Sequence, residues 1–126
     1  EILKKFPASV RWIPSLSRVE IHELMRQSDV LLFPSLFEGF GLVITESLSN
    51  GLPVITTPNT CGPEFIREGK NGWIIEPHRI DEILSKLEFL ISNPEHVALA
   101  KESAYTLAHG LSWDRYKEGL VKFVTE

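Results

Sequence analysis

A single cysteine, Cys61, among 126 residues excludes an internal disulfide and any zinc site built on paired thiolates. Long apolar runs are also lacking, and none approaches the roughly 20 residues that a membrane-spanning helix needs. There is no basic excess. Thirteen Lys and Arg stand against 17 Asp and Glu, a net charge of −4. That balance gives no electrostatic reason to expect nucleic acid or an anionic membrane as the main partner, and Lys4-Lys5 is too short a basic run to change this. Internal repeats and low-complexity linkers are missing. The opening Glu1-Ile2-Leu3-Lys4-Lys5 has no methionine and no signal-peptide layout, so it reads as cut from something longer. What remains is ordinary globular composition, with 43% hydrophobic and 24% charged residues. The length fits one compact domain or one piece of a larger one.

Hydrophobic patterning predicts short strands alternating with helices. Residues 10–13 read as a first strand, left through the turn Pro14-Ser15-Leu16. Ser17 and Glu20 form a capping box ahead of Ile21, Leu24 and Met25, which predicts a helix over 18–27. Strands follow at 30–33, 53–56 and 73–75. Between them lie helices over about 41–50, with Val43, Ile44 and Leu48 facing the sheet and Gly51 as stop, and over 63–67. Short buried apolar strands separated by helices imply parallel pairing. Ile80, Ile83, Leu84, Leu87, Leu90 and Ile91 recur at helical spacing, and Asn93-Pro94 caps a further helix. Ser112 offers one more cap, before Trp113, Tyr116, Leu120 and Phe123. The fold class is therefore α/β, a Rossmann-like parallel sheet flanked by helices with a helical C-terminal tail. Trp12, Trp73 and Trp113 are expected in the core.

The most informative stretch is Glu38-Gly39-Phe40-Gly41-Leu42-Val43-Ile44-Thr45-Glu46. A strand running into a glycine turn and then a helix is where open α/β sheets bind anions. The helix start supplies unpaired N–H groups at Phe40, Gly41 and Leu42, and the dipole there favours negative charge. Gly39 and Gly41 let a phosphate approach the backbone. Glu38 at the mouth of the turn can accept hydrogen bonds from a sugar. Glu46 shares a helix face with Leu42 and sits about five residues past the turn, roughly 7–8 Å along the axis, where a carboxylate can hold ribose hydroxyls. A diphosphate between them would complete a nucleotide sugar. Two carboxylates also suit a glycosidase pair, and glutamates near helix starts are often only dipole partners. His22, His78, His96 and His109 form no metal-ligand pattern, and Cys61 reads as a plain loop thiol.

Ser28-Asp29-Val30-Leu31-Leu32-Phe33-Pro34-Ser35, Glu38-Gly39-Phe40-Gly41 with Glu46, and Gly51-Leu52-Pro53-Val54-Ile55 occur in series. With Gly62-Pro63-Glu64-Phe65-Ile66, Gly69-Lys70-Asn71-Gly72 and Ser112-Trp113, they resemble the retaining glycosyltransferases of family 4. The resemblance covers about residues 8–125. It implies a GT-B architecture of two Rossmann-like domains across a cleft, this chain being most of the C-terminal, donor-binding one. The acceptor domain and the first βα units, with the Arg and Lys that help diphosphate leave, would lie upstream.

The resemblance also implies transfer of a hexose from a UDP- or GDP-sugar to a hydroxyl with retention, needing no metal or other cofactor. Glu38 would contact the sugar as the catalytic-site acid. Gly39, Phe40, Gly41 and Leu42 would serve sugar and phosphate, Glu46 the ribose, and Leu16 the base. Pro14 stands where the family usually has glycine. Partners would be the donor and a sugar, glycan or lipid-linked acceptor, not nucleic acid. The setting would be polysaccharide, lipopolysaccharide or glycolipid assembly in the cytoplasm or peripherally at the inner membrane face, with the isolated fragment inactive. The alternative is a non-catalytic nucleotide-binding or interaction module.

Overall fold

The computed structural model describes residues 7–111 and residues 114, 117, 118, 121, 122 and 125. The expected Ser112 cap and the apolar positions after it lie outside these residues. Three short strands, β1 (Leu31–Phe33), β2 (Val54–Thr56) and β3 (Gly72–Ile74), form one sheet in the order β1-β2-β3. Both pairings are parallel, with Leu31 opposite Val54 and Val54 opposite Gly72. Helix α1 (Arg18–Gln27) precedes β1, α2 (Leu42–Ser49) joins β1 to β2, and α3 (Gly62–Phe65) joins β2 to β3. Helices α4 (Ile80–Ser92) and α5 (Pro94–His109) follow. The Rossmann-like α/β architecture is thus present.

Side chains alternate across the central strand. Val54 joins Ile44, Leu48, Cys61, Ile66 and Ala104 in one core, while Ile55 joins Trp73, Ile75, Leu90 and Ala100 in the other. A strand covered on both faces reads as an uninterrupted apolar run, which is why period-2 patterning is absent from Pro53-Val54-Ile55. Asn71, fully buried, closes the turn before β3. Its Oδ1 accepts from the Arg67 amide at 2.7 Å and its Nδ2 donates to the Phe65 carbonyl at 3.0 Å.

Three expectations need correction. Residues 10–13 are not a strand: β1 pairs only with β2 among the described residues, so no ladder forms alongside 10–13. An apolar segment cannot become a strand without a partner for its backbone groups. Trp12 in that segment is 64% exposed rather than core, whereas Trp73 is 3% exposed as expected. Asn93 starts α5 but does not cap it with its side chain, because Nδ2 donates back to the Phe89 carbonyl of α4 at 2.7 Å. The capping box of α1 does form: the Glu20 amide donates to Ser17 Oγ and the Ser17 amide to Glu20 Oε2.

Candidate functional site

The loop from Pro34 to Gly41 leaves the carboxyl end of β1, the end at which open α/β sheets hold ligands. The loop after β2 holds it in place. Thr56 Oγ1 donates to the Phe33 carbonyl at 2.9 Å, and Thr57 Oγ1 donates to that of Ser35. Asn59 binds on both sides: its carbonyl accepts from the Glu38 amide at 3.1 Å, and its Nδ2 donates to the Leu36 carbonyl at 2.9 Å. The Cys61 amide donates to the Phe40 carbonyl at 2.8 Å, and Cys61 Sγ lies 3.6 Å from the Gly41 carbonyl oxygen. Burial pushes the Cys61 thiol above its ordinary pKa, with a further push from Glu64. Sequence reasoning missed these braces. The signal was there as a polar run, Thr56-Thr57-Pro58-Asn59-Thr60, directly after a buried strand.

The turn itself is shaped by its two glycines. Gly41 is the N-cap of α2 at φ +90°, a conformation that L side chains rarely adopt. Gly39 differs: a Cβ there would meet nothing within 4 Å, so its missing side chain leaves open space beside the backbone. The amides of Phe40, Gly41 and Leu42 donate to no protein acceptor among the described residues. Phe40 packs edge-on against Phe65 of α3, with ring centroids 5.9 Å apart, which steadies the middle of the turn.

Glu38 is half-buried and accepts from Ser35 Oγ at 3.2 Å. Glu46 lies on α2 with its side chain 39% exposed, and Arg18 Nη2 of α1 stands 3.9 Å from its Oε1. The start of α1, with half-buried Leu16 two residues before Arg18, thus lies alongside α2. Leu42 is largely exposed at the helix start. The structure therefore gathers the glycine turn and both acids on one βα unit, and adds Arg18 from a neighbouring helix.

A cavity of about 280 Å³ opens at the same carboxyl end of the sheet, lined by Pro34, Leu36, Thr57, Ile75, His78 and Ile83 among others. A larger groove of about 470 Å³, between Val30, Leu87, Leu90, Ile91 and Val97, borders Val30 at the amino end of β1 instead. The strand-end rule favours the former side. Among the described residues no group of three or more His, Cys, Asp or Glu could hold a metal ion, and no helix is long and apolar enough to cross a membrane.

Comparison with known proteins agrees with this fold. A sucrose synthase of Denitrovibrio acetiphilus is 34% identical over 125 residues, covering 91% of this chain and 16% of its own length. The C-terminal domain of a group 1 glycosyl transferase (LpcC) from Francisella tularensis superposes with a TM-score of 0.69 at 30% identity, covering 80% of this chain and 51% of that one. Anabaena Alr3699/HepE in complex with UDP-glucose gives a TM-score of 0.63 at 26% identity, over 68% of this chain and 24% of that one. The chain thus spans between about a sixth and a half of the proteins it matches. The family described as glycosyl transferases group 1 matches residues 3–107, most of the chain. A Rossmann-like sheet whose first βα turn presents free amides between two carboxylates is accordingly a domain of that family, and the chain belongs to the group 1 glycosyl transferases.

Proposed function

We propose that this chain is the donor-binding part, in the C-terminal half, of a GT-B enzyme that transfers a hexose from a nucleoside diphosphate sugar to a hydroxyl with retention. One observation carries the reading: the unpaired amides of Phe40, Gly41 and Leu42 at the start of α2, set between Glu38 and Glu46. Charge develops on the diphosphate as its bond to the anomeric carbon breaks, and preorganised N–H groups at a helix start stabilise charge there. Open space beside Gly39 lets the phosphate reach them. Glu38, oriented by Ser35, accepts hydrogen bonds from the sugar hydroxyls. Glu46 accepts from the ribose, and Leu16 lies against the base. The binding of UDP-glucose by a protein of similar fold supports this class of donor. The acceptor domain, the first βα units of this domain and their cations would lie upstream in the longer protein. The acceptor would be a sugar, glycan or lipid-linked molecule, met in the cytoplasm or at the inner face of the membrane.

Calorimetry of the full-length protein with UDP, GDP and their glucose and mannose derivatives tests the proposal. Removing a charged hydrogen-bond acceptor costs about 1.5–3 kcal/mol, so Glu46→Ala should raise the Kd of the bound nucleotide about 10- to 150-fold. Glu38→Gln should lower kcat/KM for transfer while leaving the Kd of UDP or GDP near wild type. A protein that binds none of these nucleotides would overturn the reading. Unchanged affinity in Glu46→Ala would remove the ribose assignment alone.

A further inference from the structure

We infer that Arg18 is a positioning residue for the donor: its guanidinium faces and partly neutralises Glu46, so that one helix end can serve both ribose hydroxyls and a diphosphate. The inference rests on Glu46 being the ribose carboxylate.

Arg18 is the first residue of α1, the end of a helix whose dipole disfavours a cation. Burial does not explain its presence, since the side chain is 82% exposed. Nor do the nearer acids of its own helix pair with it. Glu20 is engaged with Ser17, and Glu23 with Arg26 and Gln27. Arg18 instead reaches across to Glu46 on α2, at 3.9 Å. The two helices are fixed at the other end of the same seam, where Arg26 Nη1 donates to Asn50 Oδ1 at 3.1 Å and Asn50 Nδ2 lies 3.8 Å from Met25 Sδ. A residue that breaks a local rule for a distant partner points to a role at that partner.

The separation suits the role. At 3.9 Å the charges interact, yet the pair is longer than the roughly 2.7–2.9 Å of a direct charge-assisted hydrogen bond. The carboxylate lone pairs therefore remain available to hydroxyl donors. Glu46 stands four residues beyond Leu42, about 6 Å along the helix axis. A bare carboxylate that close to the anion cradle repels an incoming diphosphate, and an adjacent cation offsets the repulsion.

Titration of the full-length protein with UDP, GDP and the corresponding nucleosides tests this. Arg18→Ala should weaken the bound diphosphate about tenfold at low ionic strength, with the difference shrinking toward about twofold in 0.5 M salt as screening grows. Nucleoside affinity should fall far less, and Arg18→Lys should restore most of the loss. In a Glu46→Gln background, Arg18→Ala should add no further loss, because the repelling charge is already gone. Two results overturn the inference: wild-type affinity in Arg18→Ala while Glu46→Ala is impaired, or an undiminished Arg18→Ala loss in the Glu46→Gln background. If Glu46→Ala itself binds normally, the ribose reading falls and this inference with it. Thermal midpoints near wild type would establish that the variants are folded.

Discussion

Gly72 has no room for a side chain. A Cβ there would lie 2.4 Å from the Val54 carbonyl oxygen and 2.8 Å from Ile66 Cδ1. The backbone oxygen belongs to the central strand and cannot give way. Gly72→Ala should therefore destabilise the fold by about 1–3 kcal/mol, the usual cost of overpacking, read as a lowered denaturant midpoint. At this scale the candidate site was partly legible. Glu38, Gly41 and Glu46 stand out because their spacing within one βα unit is a property of nine consecutive residues. Asn59 and Cys61 were not legible as braces. Each acts on a loop about twenty residues earlier in the chain, and no local pattern encodes that encounter. Trp12 and Trp73 make the same point. Both lie in short apolar segments, yet only Trp73 has a neighbouring strand and α4 to cover it.

Elements whose signals are local formed where the pattern placed them. The Ser17–Glu20 capping box closes within one turn, so its sequence signature is nearly the interaction itself. The start of α4 carries another local device: Arg79 Nη2 lies 2.6 Å from Asp81 Oδ2 and Nη1 lies 3.3 Å from Glu82 Oε1. Hydrogen bonding and charge from Arg79 hold the Asp81 carboxyl at about 2, below its ordinary 3.8. The folded state thus binds this proton more weakly than the unfolded state does, so a falling pH favours unfolding. The contribution is complete above about pH 4 and is lost as pH falls through about 2. Asp81→Asn should accordingly lower the thermal midpoint slightly at neutral pH, the pair being exposed and screened. The gap from wild type should close on acidification through that window. A gap that persists at the acid end would mean that Asp81 stabilises α4 other than by its charge. The expected strand at 10–13 is the contrary case, since a strand depends on a partner that the segment cannot supply for itself.

For the molecule as a whole, α5 ties the two faces of the sheet together. Ala104 belongs to the core with Ile44 and Leu48, and Ala100 to the core with Ile55 and Trp73. Lys101, between them, donates from Nζ to the Ser28 carbonyl at 2.7 Å and pairs with Asp29 at 3.4 Å, just ahead of β1. Ala104 is fully buried, so Ala104→Leu should overpack one core and cost about 1–3 kcal/mol. Because α5 enters both cores, amide exchange should accelerate to the same extent at Ile44 on one face and at Trp73 on the other. Acceleration confined to the Ile44 side would show that the faces unfold separately. Periodicity, caps and spacing over a few residues are enough to specify the alternation of strand and helix, the parallel sheet and the glycine turn between two acids. Folding in three dimensions was needed to set Asn59 and Cys61 as braces of that turn, to leave Trp12 outside the core and to face Arg18 toward Glu46. These are encounters between segments distant in the chain, set by how the sheet and its helices pack.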